Sequence, residues 1–414
     1  MKKEIGNHVE IVSSKANGYV LLANTVNDQW IRISKETFDI LKQLLEADLV
    51  DDLESNFFQS LEDFQFIKNT IEELEKMNLI SRSGEKYGVV NETVSIETTH
   101  RCNLHCAHCC MNASNNMKEE SDLSLEQMKE MLNKIIEWKP KRIMLSGGEP
   151  MLRKDFFLIL SYLRSRYNGT IILSTNGTFI NSKNASQLVK MVDQFEISID
   201  GIDEETCSVV RGRGVFKKVI RSIEILKNYN ATVINLSMIF SDKTEHLLEP
   251  FYQLNEKLET NPICRLFSPT GRGEENKQLF TDKTEFETYI PSDYMVEHSD
   301  KPLSICSCTA GKKEIFIDYQ GNVYPCPSYI RSELKMGNIF KIDKLTDLTE
   351  NGSRKISLTL DKIDPKNSEN CSECEVKLFC WTCPASIDDF KSKEALDDNC
   401  RRIKPVLMKR VWNS

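Results

Sequence analysis

The chain runs to 414 residues, long enough for two or three domains and a sizeable buried core. Apolar residues at 40% and charged residues at 28% make a globular balance, not a disordered one. The 62 Asp and Glu against 54 Lys and Arg leave a net charge of −8, which speaks against a bulk nucleic-acid binder while leaving room for a local basic groove. No run nears the ~18 apolar residues of a membrane span. Lys2 and Lys3 are followed by Glu4 and not by an apolar core, so no signal peptide is expected. The expectation is a cytoplasmic protein with no nucleic acid and no membrane as partner.

Residues 1–90 read as a unit of their own. Tyr19–Ala23 and Trp30–Ile33 alternate as short strands around turn residues Asn27 and Asp28. Ser34 is a candidate N-cap for a helix with Phe38, Leu41, Leu44 and Leu45 on one face. A second helix over Phe64–Met77 carries Ile67, Ile71, Leu74 and Met77. From about residue 93 to 270, strands alternate with helices. The strands are Val94–Thr98, Arg142–Leu145, Ile171–Ser174, Glu196–Ile199, Val233–Ile239 and Ile263–Phe267, with helices expected over 124–137 and 155–167. Repeated βα units imply a parallel sheet, open or closed as a barrel, with ligands at the carboxyl ends of the strands. Beyond residue 300 regular periodicity fades and Cys, Gly and Pro dominate, so metal clusters are expected to stand in for a large core.

Fourteen cysteines are too few for a disulfide scaffold, and a reducing compartment would keep them unpaired. Four fall within residues 102–110 and five within 371–400, where an even spread would place fewer than one and about one. Cys102-Asn-Leu-His-Cys106-Ala-His-Cys109 follows the first strand of the βα region directly. Three thiolates on one tight loop can hold three irons of a [4Fe–4S] cluster and leave the fourth open to a small molecule. A zinc site completed by His105 or His108 is the alternative, although zinc favours paired Cys or Cys/His sets with longer spacers.

With this CxxxCxxC loop in that place, the chain resembles the radical S-adenosylmethionine (SAM) enzymes. The resemblance implies that Cys102, Cys106 and Cys109 hold the cluster and that SAM's amino and carboxylate groups occupy the open iron. His108 fills the place where an aromatic residue usually precedes the third cysteine. Gly147-Gly148-Glu149-Pro150, after the second strand, resembles the family's GGE motif, whose glycines allow close backbone approach and whose carboxylate suits the amino group of SAM. Ser174 and Asn176 close the third strand, and Ser198 and Asp200 close the fourth; by the resemblance they are polar contacts to SAM. Arg211 would pair with the methionyl carboxylate. Each motif alone is a common cap or turn, but here they come in order at successive strand ends. Gly271-Arg272-Gly273 resembles a Gly-Arg element near the barrel mouth, a satisfied surface arginine being the plainer alternative. Cys207 and Cys264 fit neither cysteine set and read as core or surface thiols.

Cys308, Cys326, Cys371-x2-Cys374-x5-Cys380-x2-Cys383 and Cys400 resemble the SPASM domain, a C-terminal extension with two auxiliary [4Fe–4S] clusters. By that resemblance Cys371, Cys374, Cys380 and Cys400 hold one cluster. Cys308, Cys326 and Cys383 hold the other, with Cys306 as candidate fourth ligand or else an open iron for a substrate thiolate. The first ninety residues resemble the winged-helix-like element that binds leader peptides of ribosomally made, modified peptides by adding the leader to a sheet edge.

The fold implied is α/β: a partial (β/α)6 radical SAM barrel over 91–300, a winged-helix-like α+β domain over 1–90, and a Cys-rich iron–sulfur domain over 301–414. The activity implied is that of a peptide maturase of the thioether-forming, sactisynthase and ranthipeptide kind. It would abstract a hydrogen with a 5′-deoxyadenosyl radical and install an oxidative crosslink on a precursor peptide. SAM and three [4Fe–4S] clusters are the implied cofactors; a precursor peptide held by its leader and an electron donor such as flavodoxin or ferredoxin are the implied partners. Carbon–carbon crosslinking, formylglycine formation of the sulfatase-maturing type, and a non-catalytic iron–sulfur electron carrier are the alternatives. No residue is legible as the catalytic base.

Overall fold

The computed structural model describes residues 2–55, 58–84, 91–114, 118, 121–282, 303–305, 308–351, 371–380 and 393–413. Two compact units interleave along the chain: one holds 1–88, 285–308 and 360–414, the other 89–284 and 309–359. The first unit thus joins segments from both ends of the chain, and residues 309–359 belong to the second.

In the first unit, β1 (Lys3–Ile5) pairs antiparallel with β5 (Ile80–Arg82), and β2 (Val9–Ser13), β3 (Tyr19–Asn24) and β4 (Trp30–Ser34) form an antiparallel sheet in that order. Helix α1 (Lys35–Glu46) starts at Ser34, whose hydroxyl accepts from the Thr37 amide at 3.0 Å, and α2 (Leu61–Lys76) follows. Because successive strand residues point to opposite faces, β3 serves two cores. Val20 and Leu22 pack with Leu41, Leu45, Ile71 and Leu74 of the helices. Leu21 and Ala23 pack on the other side with Phe379, Leu407, Val411 and Trp412, the last three from the C-terminal helix Lys393–Trp412. Both faces of this sheet are thus covered within the unit. The Trp30 indole donates to the Leu303 carbonyl at 2.7 Å and meets Phe379 edge-on, which fixes the C-terminal segment against β4.

In the second unit, β6 (Thr93–Glu97), β7 (Arg142–Ser146), β8 (Thr170–Thr175), β9 (Gln194–Ser198), β10 (Val233–Phe240) and β11 (Asn261–Leu266) pair parallel in chain order. The helices between them are α3 (Leu125–Glu137), α4 (Phe156–Arg166), α5 (Ala185–Met191), α6 (Glu204–Arg211), α7 (Val215–Asn228) and α8 (Leu248–Leu258). Ile96, Leu145, Leu173, Ile197 and Leu236 lie in the helix-covered core. By the strand period, Ser95, Ser174, Ser198 and Ser237 face the other way, which makes that side polar.

Three further strands were not expected. β12 (Glu314–Ile317) pairs parallel with β6, and β13 (Asn322–Tyr324) and β14 (Gly337–Asn338) follow antiparallel, giving a nine-stranded open sheet in the order β11-β10-β9-β8-β7-β6-β12-β13-β14. At 4, 3 and 2 residues they are too short to leave a periodic signal. Among the described residues no helix is long and apolar enough to cross a membrane.

Candidate functional site

The cysteine loop leaves β6 and is closed on itself by the Cys102 amide donating to the Ser114 carbonyl at 3.2 Å. A turn with Cys109 N donating to Cys106 O at 3.3 Å brings the second and third cysteines together. Cys102 and Cys106 are buried and Cys109 is half-buried. The Leu104 amide donates to Cys102 Sγ at 3.4 Å.

Each following strand end braces this loop. After β7, Gly148 N donates to Thr99 O at 2.7 Å and Glu149 N to Arg101 O at 2.8 Å. Gly147 adopts φ +144°, and a Cβ on Gly148 would sit 2.2 Å from Arg101 O. The close approach these glycines permit is to the chain's own cysteine loop. Glu149 is fully buried; its carboxylate accepts from Thr175 Oγ1 and Asn176 N, each at 2.8 Å, and so ties β7 to β8. Burial pushes the pKa of Glu149 up, against those hydrogen bonds. Asn176 Nδ2 in turn donates to Asn103 Oδ1 at 2.9 Å and lies 3.9 Å from Cys102 Sγ. Ser174 and Ser198 are half-buried, paired across the sheet with Glu196 and Ser237.

Just beyond β9, Asp200 sits at φ +49°, and its Oδ2 accepts from His108 Nε2 at 2.5 Å and from Arg211 Nε at 2.7 Å. Its Oδ1 accepts from the Ile239 amide at 2.7 Å. Arg211 also reaches Cys106 Sγ at 3.8 Å. Burial works to raise the Asp200 pKa, but Arg211 and His108 outweigh it and hold the carboxyl well below its usual range. Arg211 is held above its ordinary value because Asp200 and Cys106 overcome the opposing effect of burial. With His108 given over to Asp200, the zinc alternative loses one of its two histidines, and His105 is exposed.

The structure decides between the two readings of Arg272 and adds Glu97 and His100, which motif reasoning passed over. Arg272 is buried and holds the cysteine loop, so the surface-arginine alternative is overturned. Glu97, at the end of β6, accepts from His100 Nδ1 at 2.6 Å and from the Tyr319 amide at 3.3 Å, and the His100 ring lies 5.0 Å from that of Tyr319. A Glu–x2–His pair at the carboxyl end of the first strand was the available signal.

Do the three cysteines fit an iron–sulfur cluster? Burial pushes the Cys102 thiol up to about 11, and its neighbours Glu149, Cys106 and Cys109 add to this. Thiolates so crowded need a positive partner, and iron supplies one by deprotonating the thiols it binds. Amide donors aimed at the sulfurs suit cluster ligation as well. Among the described residues, no three His, Cys, Asp or Glu side chains are gathered as around a single metal ion. What suits a cluster is the chemistry of the donor set, three thiols on one loop with amide donors at Cys102 Sγ, and Cys102, Cys106 and Cys109 would hold it.

Of the other cysteines, Cys371, Cys374 and Cys380 share one run of turns, in which Cys374 N donates to Cys371 O at 2.9 Å, and Cys400 is exposed on the C-terminal helix. Cys308 is exposed and Cys326 is half-buried. Cys306 and Cys383 lie outside the described residues. Cys207 is fully buried, its thiol donating to Ile199 O at 3.0 Å, and Cys264 is exposed on β11, as a core and a surface thiol.

A parallel sheet with a three-cysteine loop at its first strand end defines a class, and comparison names it. Residues 96–254 match the model of the radical SAM superfamily, and residues 306–375 match that of SPASM, an iron–sulfur cluster-binding domain. The chain carries a radical SAM domain followed by a SPASM domain, and these imply SAM and [4Fe–4S] clusters. It is similar to the mycofactocin maturase MftC of Mycolicibacterium smegmatis, 26% identical over 309 residues that cover 67% of this chain and 74% of that one. It is also similar to the antilisterial bacteriocin subtilosin biosynthesis protein AlbA of Bacillus subtilis, 25% identical over 324 residues covering 73% and 69%. Among solved structures, Streptococcus suis SuiB bound to its precursor peptide SuiA shares the fold, with a TM-score of 0.54 at 14% identity over 95% and 98% of the two chains.

Proposed function

We propose that this chain is a peptide maturase that installs an oxidative crosslink, most simply a Cys thioether, on a ribosomally made precursor. The observation that carries the reading is the three-thiol loop held by the ends of β7, β8 and β9, in a chain similar along two thirds of its length to the maturase MftC. When bound, the cluster and SAM supply a 5′-deoxyadenosyl radical that takes a hydrogen from the peptide.

The chain's own residues divide the remaining work. Cys102, Cys106 and Cys109 hold one [4Fe–4S] cluster; Cys371, Cys374, Cys380 and Cys400 hold a second; Cys308, Cys326 and Cys383, with Cys306, hold a third. Gly147, Gly148, Glu149, Asn176, His108, Asp200 and Arg211 frame the SAM pocket, and Ser174 and Ser198 line its polar side. The N-terminal unit is the winged-helix-like leader-binding element. Because both faces of its three-stranded sheet are covered, the leader would add at the edge of β2 or β4. Flavodoxin or ferredoxin supplies electrons in the cytoplasm.

The test is co-expression with a candidate precursor followed by mass spectrometry. A loss of two hydrogens per crosslink and release of 5′-deoxyadenosine are expected, and a leaderless peptide should pass unmodified. Absence of 5′-deoxyadenosine from reduced, reconstituted protein would sink the radical assignment. Conversion of Cys to formylglycine would favour the sulfatase-maturing alternative.

A further inference from the structure

The turn after β11 is built onto the cysteine loop. Gly271, at φ +55°, lies so close that a Cβ would sit 2.6 Å from the carbonyl oxygens of both Cys109 and Cys110. Arg272 is only 3% exposed. Its Nε donates to Cys106 O at 3.0 Å, one Nη donates to Asn112 Oδ1 at 2.9 Å, and its own amide donates to Cys109 O at 3.0 Å. Asn276 Nδ2 adds a bond to Ala107 O at 3.2 Å.

Two guanidinium groups therefore stand beside one cysteine, and they differ in charge balance. Arg211 is neutralised by Asp200, with contacts of 2.7 and 2.6 Å. The acceptors of Arg272 among the described residues are all neutral. Reduction adds one electron to a cluster and so one negative charge, which an unneutralised buried cation favours at short range.

We propose that Arg272 is a positioning residue for the cysteine loop whose charge, paired with no carboxylate among the described residues, favours the reduced state of a cluster held by Cys102, Cys106 and Cys109. This rests on the radical SAM reading. Arg272 comes from the turn after β11 and its partners from the cysteine loop, so the loop after the first parallel strand and the turn after the last are joined.

The test uses the full chain, reconstituted anaerobically with iron and sulfide and titrated with dithionite as the one-electron donor. EPR follows the reduced signal that SAM perturbs. A wild-type protein without that signal overturns the radical SAM reading and this proposal together; a wild type with it isolates Arg272. Arg272→Gln is expected to lower the reduced-to-oxidised ratio at fixed potential about tenfold, a shift of about 59 mV for one electron. Arg272→Lys should keep most of the wild-type ratio. Equal potentials in all three proteins at equal iron content overturn the proposal. Should the Gln protein not hold iron, the Lys protein decides. Recovered iron with a near-wild-type potential supports the role of charge, and iron lost from both shows a brace alone and overturns it.

Discussion

Asp200 Oδ2 lies 2.5 Å from His108 Nε2, so the end of the fourth parallel strand is tied to the residue just before the third cysteine of the loop. The same oxygen accepts from Arg211, which in turn reaches Cys106 Sγ. One carboxylate thereby places an imidazole inside the CxxxCxxC loop and a guanidinium beside it. Three of the residues expected to surround SAM, His108, Asp200 and Arg211, are thus joined through one carboxylate.

Asp200→Asn removes the charge that compensates Arg211, and breaking such a buried pair costs roughly 3–5 kcal/mol. The sign with pH follows from the depressed folded pKa of Asp200. The stability it contributes is fully present above the unfolded value of about 3.9 and is lost as pH falls toward the folded value. Thermal melts should show the full gap between wild type and variant at pH 7, narrowing progressively below about pH 4. An equal gap at about pH 7 and about pH 2.5 would count against this account.

Gly148→Ala places a Cβ 2.2 Å from the Arg101 carbonyl oxygen, a backbone atom that cannot rotate away. Overpacking of this kind costs about 1–3 kcal/mol. Because the clash falls on the stretch entering Cys102, iron content and 5′-deoxyadenosine yield should fall along with the melting temperature. Loss of stability with normal iron would show that the loop tolerates the shift.

Replacing Cys102, Cys106 and Cys109 together with Ala should abolish SAM cleavage while leaving roughly two clusters' worth of iron. Iron and sulfide analysis decides the partition: loss of all iron contradicts it.

Cys207 offers the contrasting case. It is buried at the start of the helix after β9, its thiol donates to Ile199 O, and burial pushes that thiol up to about 12. Cys207→Ala should cost about 1 kcal/mol and leave iron content unchanged. In the folded wild type, alkylation at Cys207 near neutral pH should be absent until denaturant is added. A drop in iron would make Cys207 a cluster residue after all.

Much of this protein was legible in local pattern. The helix capped at Ser34 and the six parallel strands follow from caps and period-two alternation over five to eight residues. The cysteine loop follows from spacing within eight residues. What stayed hidden was short or distant. Strands β12 to β14 are a few residues each, and their place beside β6 depends on pairing across more than two hundred positions. The double use of β3 was hidden too: read as an alternating strand, Tyr19–Ala23 implies one buried face, whereas residues 20–24 are all buried and Leu21 and Ala23 pack against the distant C-terminal helix.

By itself, the sequence determined the chemistry on offer: three thiols on one loop, polar residues at successive strand ends, and a second cysteine-rich region. These depend on neighbours along the chain, and covalent spacing carries them. Only the tertiary structure decided how those groups are employed. It turned the glycines of GGE toward the chain's own loop, gave His108 to Asp200, and set Arg272 against Cys106 from 166 residues away. Burial and charge balance arise where distant segments meet, and those quantities, not spacing, set whether an arginine is a surface residue or a partner of the cluster loop.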